Sequence, residues 1–324
     1  MKKRNKFVAS LLAAMLIVGC GGCNGGAEDE RVNGTMSQNA VYHWKTTFEL
    51  DSTEVSFLQK HAIKRLYLRM FDVATEPDFL NGGWQVVPIA TTQFKSAIPE
   101  GVEVVPVTYI TIDALREMVN KEAHYAALIW ERLLAMVSYN ECGEIHEVQL
   151  DCDWTKSTKN SYDKLCQILK DSLHTRGMEL SVTIRLHQLK EIPPQADRVV
   201  LMLYNTGALK NPNTKNSILH IDDVKPYLRK ATYPLPLDYA FPAFGWGVLF
   251  EGEDFLSIVS ADCKVEGPHQ HIRQERPTAT EVLQVKDLVE KHFGKSSRGN
   301  ILYHLDSSQL VNYSDDEITQ IYSH

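Results

Sequence analysis

The sequence predicts an α/β protein, namely a (β/α)8 TIM barrel that forms a single domain with insertions after strands 2 and 7. Runs rich in β-branched and aromatic residues alternate with amphipathic runs eight times. This alternation implies parallel strands joined by helical crossovers, and about 280 residues match the size of such a barrel. An open doubly wound sheet is the alternative, but the glycine-rich phosphate turn that it usually carries after strand 1 is absent from the sequence.

The first four strand-helix units fill the first half of the folded region. Their predicted strands are residues 41–48, 63–73, 102–110 and 146–154. Asp51 is a residue type that begins helices, so it predicts a helix after strand 1. Helical runs cover about 111–140, and another helix extends from about Ser161 to Gly177, because glycine often follows the end of a helix. The stretch between strands 2 and 3, which contains glycine and proline, is the first insertion.

The last four units complete the predicted barrel. Their strands are residues 179–189, 197–207, 237–247 and 299–306. A helix begins near Ile221, and a strongly amphipathic helix covers 278–294. A short helix from Ser314 completes the predicted elements. The second insertion lies between strand 7 and the amphipathic helix.

The first twenty residues are typical of a targeting signal. Lys and Arg residues within positions 2–6 precede an apolar run that is too short to span a bilayer. The sequence IVGC, which ends at Cys20, resembles a bacterial lipobox, in which the cysteine is lipidated. We therefore predict a signal peptide over 1–19, a lipidated Cys20 with a flexible tether over 20–40, and the barrel over 41–324. The lipid would attach the protein to a membrane of the bacterial cell envelope, on the periplasmic side or at the outer-membrane surface.

Charge and cysteine content exclude several functions. The chain has 34 Lys and Arg against 41 Asp and Glu, a net charge of −7 that becomes −7 − 4 = −11 when residues 1–19 are removed. Such an acidic chain does not suit nucleic-acid binding, which depends on Lys and Arg. The cysteines lack zinc-finger spacing, and His269 and His271 lie in a polar loop. We predict no metal and no cofactor.

Polar residues on strands 4 and 5 give the clearest indication of a site. Side chains alternate along a strand, so Asp151 and Asp153 share one face of strand 4, and Arg185 and His187 share one face of strand 5. The opposite, apolar faces must pack on helices, so the charged faces point into the barrel near its carboxyl-terminal mouth, where such barrels build their sites. The two carboxylates should repel each other, so that one pKa rises. The alternative is a purely structural Asp–Arg network.

Further candidates lie near the ends of other strands. Aromatic rings beside carboxylates suit a sugar, because the rings stack on its CH groups while the acids accept its hydroxyls, although any one ring is as readily core. The candidates are Trp44, Asp72, Tyr109, Tyr204, Asn205, Trp246, Tyr303 and Asp306. Together with Arg185 and His187 they are predicted to bind substrate, with Asp151 and Asp153 as the catalytic pair.

Four segments resemble strand motifs of glycoside hydrolase family 18 barrels. Residues 150–154 (LDCDW) resemble the strand-4 motif DGxDxDWE, and residues 201–205 (LMLYN) resemble the strand-6 motif MxYD/N. Residues 240–245 (AFPAFG) resemble GxPxYG, and residues 299–306 (GNILYHLD) resemble GxMxWxxD. Over nearly all of 41–324 the chain more closely resembles uncharacterised bacterial lipoproteins grouped as domain of unknown function 3142.

The resemblance implies roles and also marks a departure. It implies that Asp153 orients an acetamido group or hydroxyl, that Asp151 supports Asp153, and that Tyr204 contacts the reacting sugar. The family's general acid, a Glu, is replaced by Thr155, and the strand-8 Trp is replaced by Tyr303. A Thr hydroxyl does not donate a proton at neutral pH as a Glu with a raised pKa does.

Three hypotheses about function remain open at this point. The protein is a glycoside hydrolase whose acid has moved elsewhere, with Asp153 paired to Asp151, Asp72 or Asp306, because cleavage usually needs two carboxylates. Alternatively, it is a barrel that binds carbohydrate without cleaving it, or an interaction lipoprotein whose mouth contacts another protein. Whether the protein is an enzyme is therefore not decided by the sequence.

Overall fold

The fold is a closed barrel of eight parallel strands. The computed structural model describes residues 38–229, 232–264 and 267–323. Within these ranges the barrel strands are β1 (Ala40–His43), β2 (Arg65–Pro77), β3 (Glu103–Ile110), β4 (Glu147–Asp151), β5 (Glu179–Ile184), β6 (Arg198–Met202), β7 (Leu237–Pro242) and β8 (Ile301–Tyr303). Each strand pairs in parallel with the next, and β8 pairs with β1. The predicted (β/α)8 barrel is confirmed.

Helices flank the barrel strands. They are α1 (Ser52–Lys60), α2 (Ile112–Glu117), α3 (Glu122–Tyr139), α4 (Lys159–His174), α5 (Ile221–Val224), α6 (Ala279–Phe293), α7 (Ser307–Leu310) and α8 (Asp315–Tyr322), with 3₁₀ turns at Leu186–Lys190 and Lys225–Tyr227. Asp51 caps α1 as predicted, and Glu54 completes a capping box with it. None of the helices in the described ranges is long and apolar enough to cross a bilayer.

Both predicted insertions contain antiparallel sheet. After the barrel portion of β2, the same strand continues into a hairpin with Trp84–Ile89. After β7, Trp246–Glu251 pairs with both Asp254–Val259 and Gln270–Glu275 to form a three-stranded sheet. A short parallel pair of strands joins the segment directly after β1 to the first insertion; it consists of Thr47–Phe48 and Gln93–Phe94. The insertions therefore add walls beside the barrel without interrupting it.

Several predicted strands extended too far at their carboxyl ends. The prediction for strand 4 reached residue 154, but β4 ends at Asp151, and strand 5 ends at Ile184 before a 3₁₀ turn. The helical runs predicted over about 111–140 are two helices, separated near Asn120, whose φ is +63°. The residues after the strands stay buried, as Trp154 and Leu186 are. Because burial continues beyond the strands, the apolar pattern does not mark where they end.

The barrel interior is polar along β4 and β5, as predicted. The Tyr42 hydroxyl of β1 donates to Gln149 Oε1 of β4 across the lumen at 2.6 Å, and Gln149 Nε2 donates to Ser181 Oγ at 3.1 Å. Two residues further along both strands, the Thr183 hydroxyl donates to Asp151 Oδ1 at 2.6 Å. Polar side chains thus fill these levels of the lumen and hydrogen-bond to one another. The predicted signal peptide and Cys20 lie outside the described residues.

Candidate functional site

The site begins with an ion pair at the carboxyl ends of β4 and β5. Arg185 Nε donates to Asp153 Oδ1 at 2.6 Å, and Arg185 Nη2 donates to Asp153 Oδ2 at 3.4 Å. Both side chains remain partly accessible, at 23% and 37% of their surface. The guanidinium also lies over the Tyr204 ring, 5.8 Å from its centre. The pair brings together two of the predicted residues and places them where a ligand can reach them.

Asp151 lies directly beneath this pair and is buried. Its carboxylate accepts the Thr183 hydroxyl at 2.6 Å. Burial raises the pKa of Asp151 to about 6, and the negative charge of Asp153 adds to the rise, whereas Arg185 and Thr183 oppose it. The predicted rise of one pKa is present, but its main cause is burial rather than repulsion between the two carboxylates. Asp151 is therefore partly protonated near neutral pH.

Aromatic rings from four strands and loops meet beside the ion pair. Tyr204 stacks on Tyr303 with ring centres 4.5 Å apart, and Phe244 stands edge-on to Tyr303 at 5.6 Å. Trp44 and Trp246 extend this group on opposite sides, at 5.8 Å from Tyr303 and 5.3 Å from Phe244. These five residues form what we call the aromatic cluster. The Tyr204 hydroxyl is buried and has no hydrogen-bond partner among the described residues.

A cavity of about 370 Å³ opens beside the ion pair, and Tyr204 is the member of the aromatic cluster that borders it. Its lining residues are Asp153, Arg185, Leu186, His187, Met202, Tyr204, Asn205, Thr206 and Tyr227. Five of the predicted site residues are among them. His187 stands exposed at the rim on the 3₁₀ turn after β5, and Asn205 adopts a φ of +55°. Asp153 is the one carboxylate in this lining within the described part of the chain.

The opposite side of the mouth carries a second ion pair that the sequence analysis missed. Arg69 Nε donates to Asp72 Oδ1 at 2.8 Å, Arg69 Nη2 donates to Asp72 Oδ2, and the guanidinium lies 5.5 Å from the Trp44 ring centre. Asp72 is level with Tyr109 of β3, which is level with Asp151 of β4. Burial, together with Asp153 and Asp151, raises the pKa of Tyr109 to about 12. Asp72, Tyr109 and Trp44 thus line the rim but do not line the cavity.

Two predicted site residues serve other groups of the protein. Asp306 caps α7, where it accepts from the backbone N–H and the hydroxyl of Ser308 at 3.0 and 2.7 Å. Trp246 donates its ring N–H to Glu275 at 2.8 Å. Glu275 is buried at the end of the second insertion, and nothing in the local sequence pattern distinguished it.

The position that the family resemblance assigns to a general acid is occupied by a local turn. The Thr155 hydroxyl lies 2.9 Å from the Ser157 hydroxyl and 3.3 Å from that of Thr158. The described residues contain no group of three or more His, Cys, Asp or Glu side chains placed to hold a metal ion.

Comparison with solved structures identifies the fold. A chitinase from Chromobacterium violaceum is 11% identical, with 88% of this chain and 98% of that chain covered and a TM-score of 0.54. A family 18 chitinase from Flavobacterium johnsoniae is 12% identical, with 88% and 94% covered and a TM-score of 0.53. The spore cortex-lytic enzyme of Bacillus cereus is 14% identical, with 89% and 74% covered and a TM-score of 0.52.

These similarities show a TIM barrel like that of the family 18 glycoside hydrolases. At such low identity they show the fold and nothing about the reaction. No protein-family model matches the sequence, and no curated protein matches it. The predicted relationship to domain of unknown function 3142 therefore has no support.

Proposed function

We propose that this protein binds a carbohydrate at the carboxyl-terminal mouth of its barrel and does not cleave it with a pair of carboxylates. The observation that carries the proposal is the cavity in which the Tyr204 ring, the Asp153–Arg185 pair and Asn205 lie side by side. The carboxylate and guanidinium can take the hydroxyls of a sugar as acceptor and donor, and Tyr227, which also lines the cavity and is 40% exposed, offers an aromatic ring for its CH groups. The barrel shared with two chitinases and a cortex-lytic enzyme supports carbohydrate as the ligand class.

Among the described residues the cavity is lined by a single carboxylate, that of Asp153, and this supports binding without cleavage. Glycosidic bond cleavage usually needs one carboxyl group to donate a proton and a second group to act on the opposite side of the sugar. Asp153 is held by Arg185, and Thr155 occupies the place of the expected acid. Asp72 is engaged by Arg69, so it does not supply the second carboxylate.

Hydrolysis is the second candidate, and Asp151 is the observation that favours it. Its pKa of about 6 means that it carries a proton part of the time near neutral pH. Asp151 could exchange that proton with Asp153, which would then act on a bound sugar. This route requires Arg185 to release Asp153 when the ligand binds, and catalysis by such a pair would depend on Asp153 directly.

We also propose that the lipid on Cys20 places the barrel in the bacterial cell envelope. The support is the order of a basic segment, an apolar run and the IVGC tetrad in the sequence. Mass analysis of the N-terminal peptide from the membrane fraction tests this proposal. An unmodified Cys20 would contradict it without affecting the proposed carbohydrate site.

The carbohydrate proposal can be tested with a pooled glycan library. The protein would be the chain from residue 20 onward with Cys20→Ser, and bound and released glycans would be identified by mass spectrometry. We expect intact glycans to be retained, with no shorter products. Arg185→Met and Asp153→Asn should each weaken binding by about tenfold or more, because each removes a charge-assisted hydrogen bond.

The control is Asp171→Asn, which changes an exposed carboxylate on α4 and should leave binding unchanged. Shorter products that disappear with Asp153→Asn would instead establish a hydrolase. If neither bound glycans nor products are found, the carbohydrate proposal fails and an interaction protein becomes the remaining hypothesis.

A further inference from the structure

The hairpin formed by β2 and Trp84–Ile89 rises well beyond the barrel mouth. Val73 is the last residue of β2 that pairs with β3, and it lies opposite Ile110 at the end of that strand. From Ala74 to Pro77 the strand pairs only with its own return strand. Four residues of strand extend about 13 Å, so the turn at residues 78–83 lies about that far beyond the last pairing of β2 with β3.

The end of this hairpin exposes large apolar side chains, and we call this group the hairpin tip. Phe79 is 93% exposed, Leu80 is 95% exposed and Trp84 is 59% exposed. The sequence from residue 79 to residue 94 contains no charged residue. Apolar side chains that are scattered singly are normal on a surface, but three grouped at the end of one hairpin mark a contact site. They contribute nothing to the barrel core.

The polar groups around the hairpin tip are already engaged within the hairpin. Asp78 Oδ1 accepts from the backbone N–H groups of Leu80 and Asn81 at 3.0 and 2.9 Å, and Asp78 Oδ2 accepts from Asn81 Nδ2 at 3.0 Å. Glu76 accepts from Gln85 Nε2 at 2.9 Å. A sugar would need hydroxyl partners beside the rings, and an aliphatic Leu offers it no stacking face. The chemistry of the tip therefore favours an apolar occupant.

We propose that the hairpin tip inserts into the headgroup boundary of a lipid bilayer, with Phe79 and Leu80 entering the apolar layer and Trp84 at the interface. Aromatic residues favour this interface, and apolar side chains enter the boundary below it. The acidic residues of the hairpin, Glu76 and Asp78, suit a zwitterionic surface better than an anionic one. This inference rests on the membrane attachment through Cys20 that we propose above.

The point at which the described chain enters the barrel is consistent with this contact. Gln38 precedes β1, and β1 is the direct neighbour of β2, so the chain enters the barrel on the flank that carries the hairpin. β2 has 13 residues and so is about 40 Å long. The 18 residues from Cys20 to position 37 span at most about 60 Å. A lipid on Cys20 and the hairpin tip can therefore reach the same bilayer when this flank faces it.

The strength of the contact explains why it would need an anchor. Burying two large apolar side chains favours the apolar phase by roughly 10²- to 10⁴-fold, which is too little to hold a protein of this size on its own. A second attachment raises the effective concentration of the tip at the membrane. Stable membrane binding generally takes two such signals. The tip would thus fix the orientation of an already anchored barrel.

Tryptophan quenching on vesicles tests the proposal without depending on native lipidation. The chain from residue 20 onward, with Cys20→Ser and an N-terminal hexahistidine, would be tethered to phosphatidylcholine vesicles that contain nickel-chelating lipid and brominated phosphatidylcholine. We expect bromine to quench a component of the fluorescence that Trp84→Phe removes. The double variant Phe79→Ser/Leu80→Ser should lose this quenching by at least about tenfold.

The matched control is Tyr139→Ser, which alters a side chain of 88% exposure on α3 and should keep the quenching. Absence of quenching at Trp84 in the tethered protein would overturn the proposal. Weaker glycan binding by the double variant, with no quenching, would also overturn it and assign the tip to carbohydrate. An unmodified Cys20 with quenching intact would refute the native anchor and leave the apolar contact standing.

Discussion

At the scale of single residues, the site depends on Arg185, whose guanidinium interacts with three neighbouring side chains. The guanidinium neutralises Asp153, opposes the rise in the pKa of Asp151, and covers the ring of Tyr204. One cation thus pairs with an accessible carboxylate, while the buried carboxylate beneath it keeps a raised pKa. Such a contrast between neighbouring carboxyl groups is typical of functional sites, although structural networks produce it as well.

Asp151 should reduce stability at neutral pH, which gives a residue-scale prediction. Its pKa of about 6 in the folded state lies above the value of 3.8 in the unfolded chain. The folded state therefore binds more protons between these values, and the free energy of unfolding rises as the pH falls through 6 towards 4. We expect Asp151→Asn to raise the free energy of unfolding at pH 7 by about 1–3 kcal/mol.

Urea denaturation at pH 7 and pH 4.5 checks this prediction, since the gain from Asp151→Asn should shrink at the lower pH. Asp171→Asn, at an exposed position, should show no such dependence. A loss of stability at pH 7 would mean that the Thr183 hydrogen bond to the carboxylate outweighs the cost of its burial.

At the scale of elements, a bulge in β2 decides which residues share a face. The pairing of β2 with β3 shifts register between Arg69 and Phe71. Strict alternation would place residues three apart on opposite faces, but the extra residue brings Arg69 and Asp72 together. The bulge therefore produces the second ion pair of the mouth, and alternation along the sequence gave no sign of that pair.

The contributions of Arg69 and Asp72 to the free energy of unfolding should be strongly coupled. Their side chains are 15% and 9% exposed, so removing one partner leaves a charge that is nearly buried. We expect Arg69→Leu to lower the free energy of unfolding by about 3 kcal/mol. The double variant Arg69→Leu/Asp72→Leu should be less destabilised than the sum of the two single variants, as measured by chemical denaturation. Additive losses would show that the two side chains do not act as a pair.

A buried histidine, His43, and a partly buried one, His304, at the ends of β1 and β8 give a second prediction at this scale. Burial, followed by the charge of Lys45, lowers the pKa of His43 to about 3, and burial lowers that of His304 to about 4. Both values lie below the usual 6.5, so the unfolded chain takes up more protons as the pH falls. Stability is therefore lost from about pH 6.5 downwards, by roughly 2 kcal/mol per histidine at pH 5.

Thermal or urea unfolding at pH 7 and pH 5 measures this effect. His43→Leu should reduce the loss between the two pH values by about half. The Asp151 contribution has the opposite sign in this range, so the comparison is best made in an Asp151→Asn background. An unchanged pH dependence in His43→Leu would contradict the assignment.

At the scale of the whole molecule, the two ends of the barrel use charge differently. At the amino-terminal end Asp238 is buried and accepts from Arg198 at 2.7 Å and from the Arg298 N–H at 2.8 Å. Arg298 also donates to Glu147 at 2.8 Å. These charges satisfy one another and hold strands together, whereas the charges at the mouth border an open cavity.

This asymmetry predicts that stability and ligand binding can be separated. Asp238→Asn should lower the free energy of unfolding by about 3 kcal/mol because it leaves Arg198 without its buried partner. Glycan affinity, measured at a temperature where the variant is folded, should remain within twofold of the unchanged protein. Asp153→Asn should show the reverse, with weaker binding and little change in stability. Loss of binding in Asp238→Asn would contradict this division.

The sequence by itself determined the barrel and part of its mouth. Strand and helix periods are local properties, because the alternation of side chains and the position of caps depend on neighbours a few residues away. For the same reason, the inward row of Asp151, Asp153 and Arg185 could be predicted from two strands alone. The cap at Asp306 also has a local sequence pattern, an Asp directly before a short helix, but Asp306 was interpreted as a binding residue.

Only the tertiary structure decided how distant residues meet. Closure of the barrel brings β8 against β1 and stacks Tyr204 on Tyr303, which are about a hundred residues apart in the sequence. The bulge at Arg69, the early end of β4 and the engagement of Trp246 by Glu275 likewise depend on packing between segments. Local patterns determine which face a side chain occupies, whereas contacts across the mouth depend on strand register and closure, which no short segment specifies.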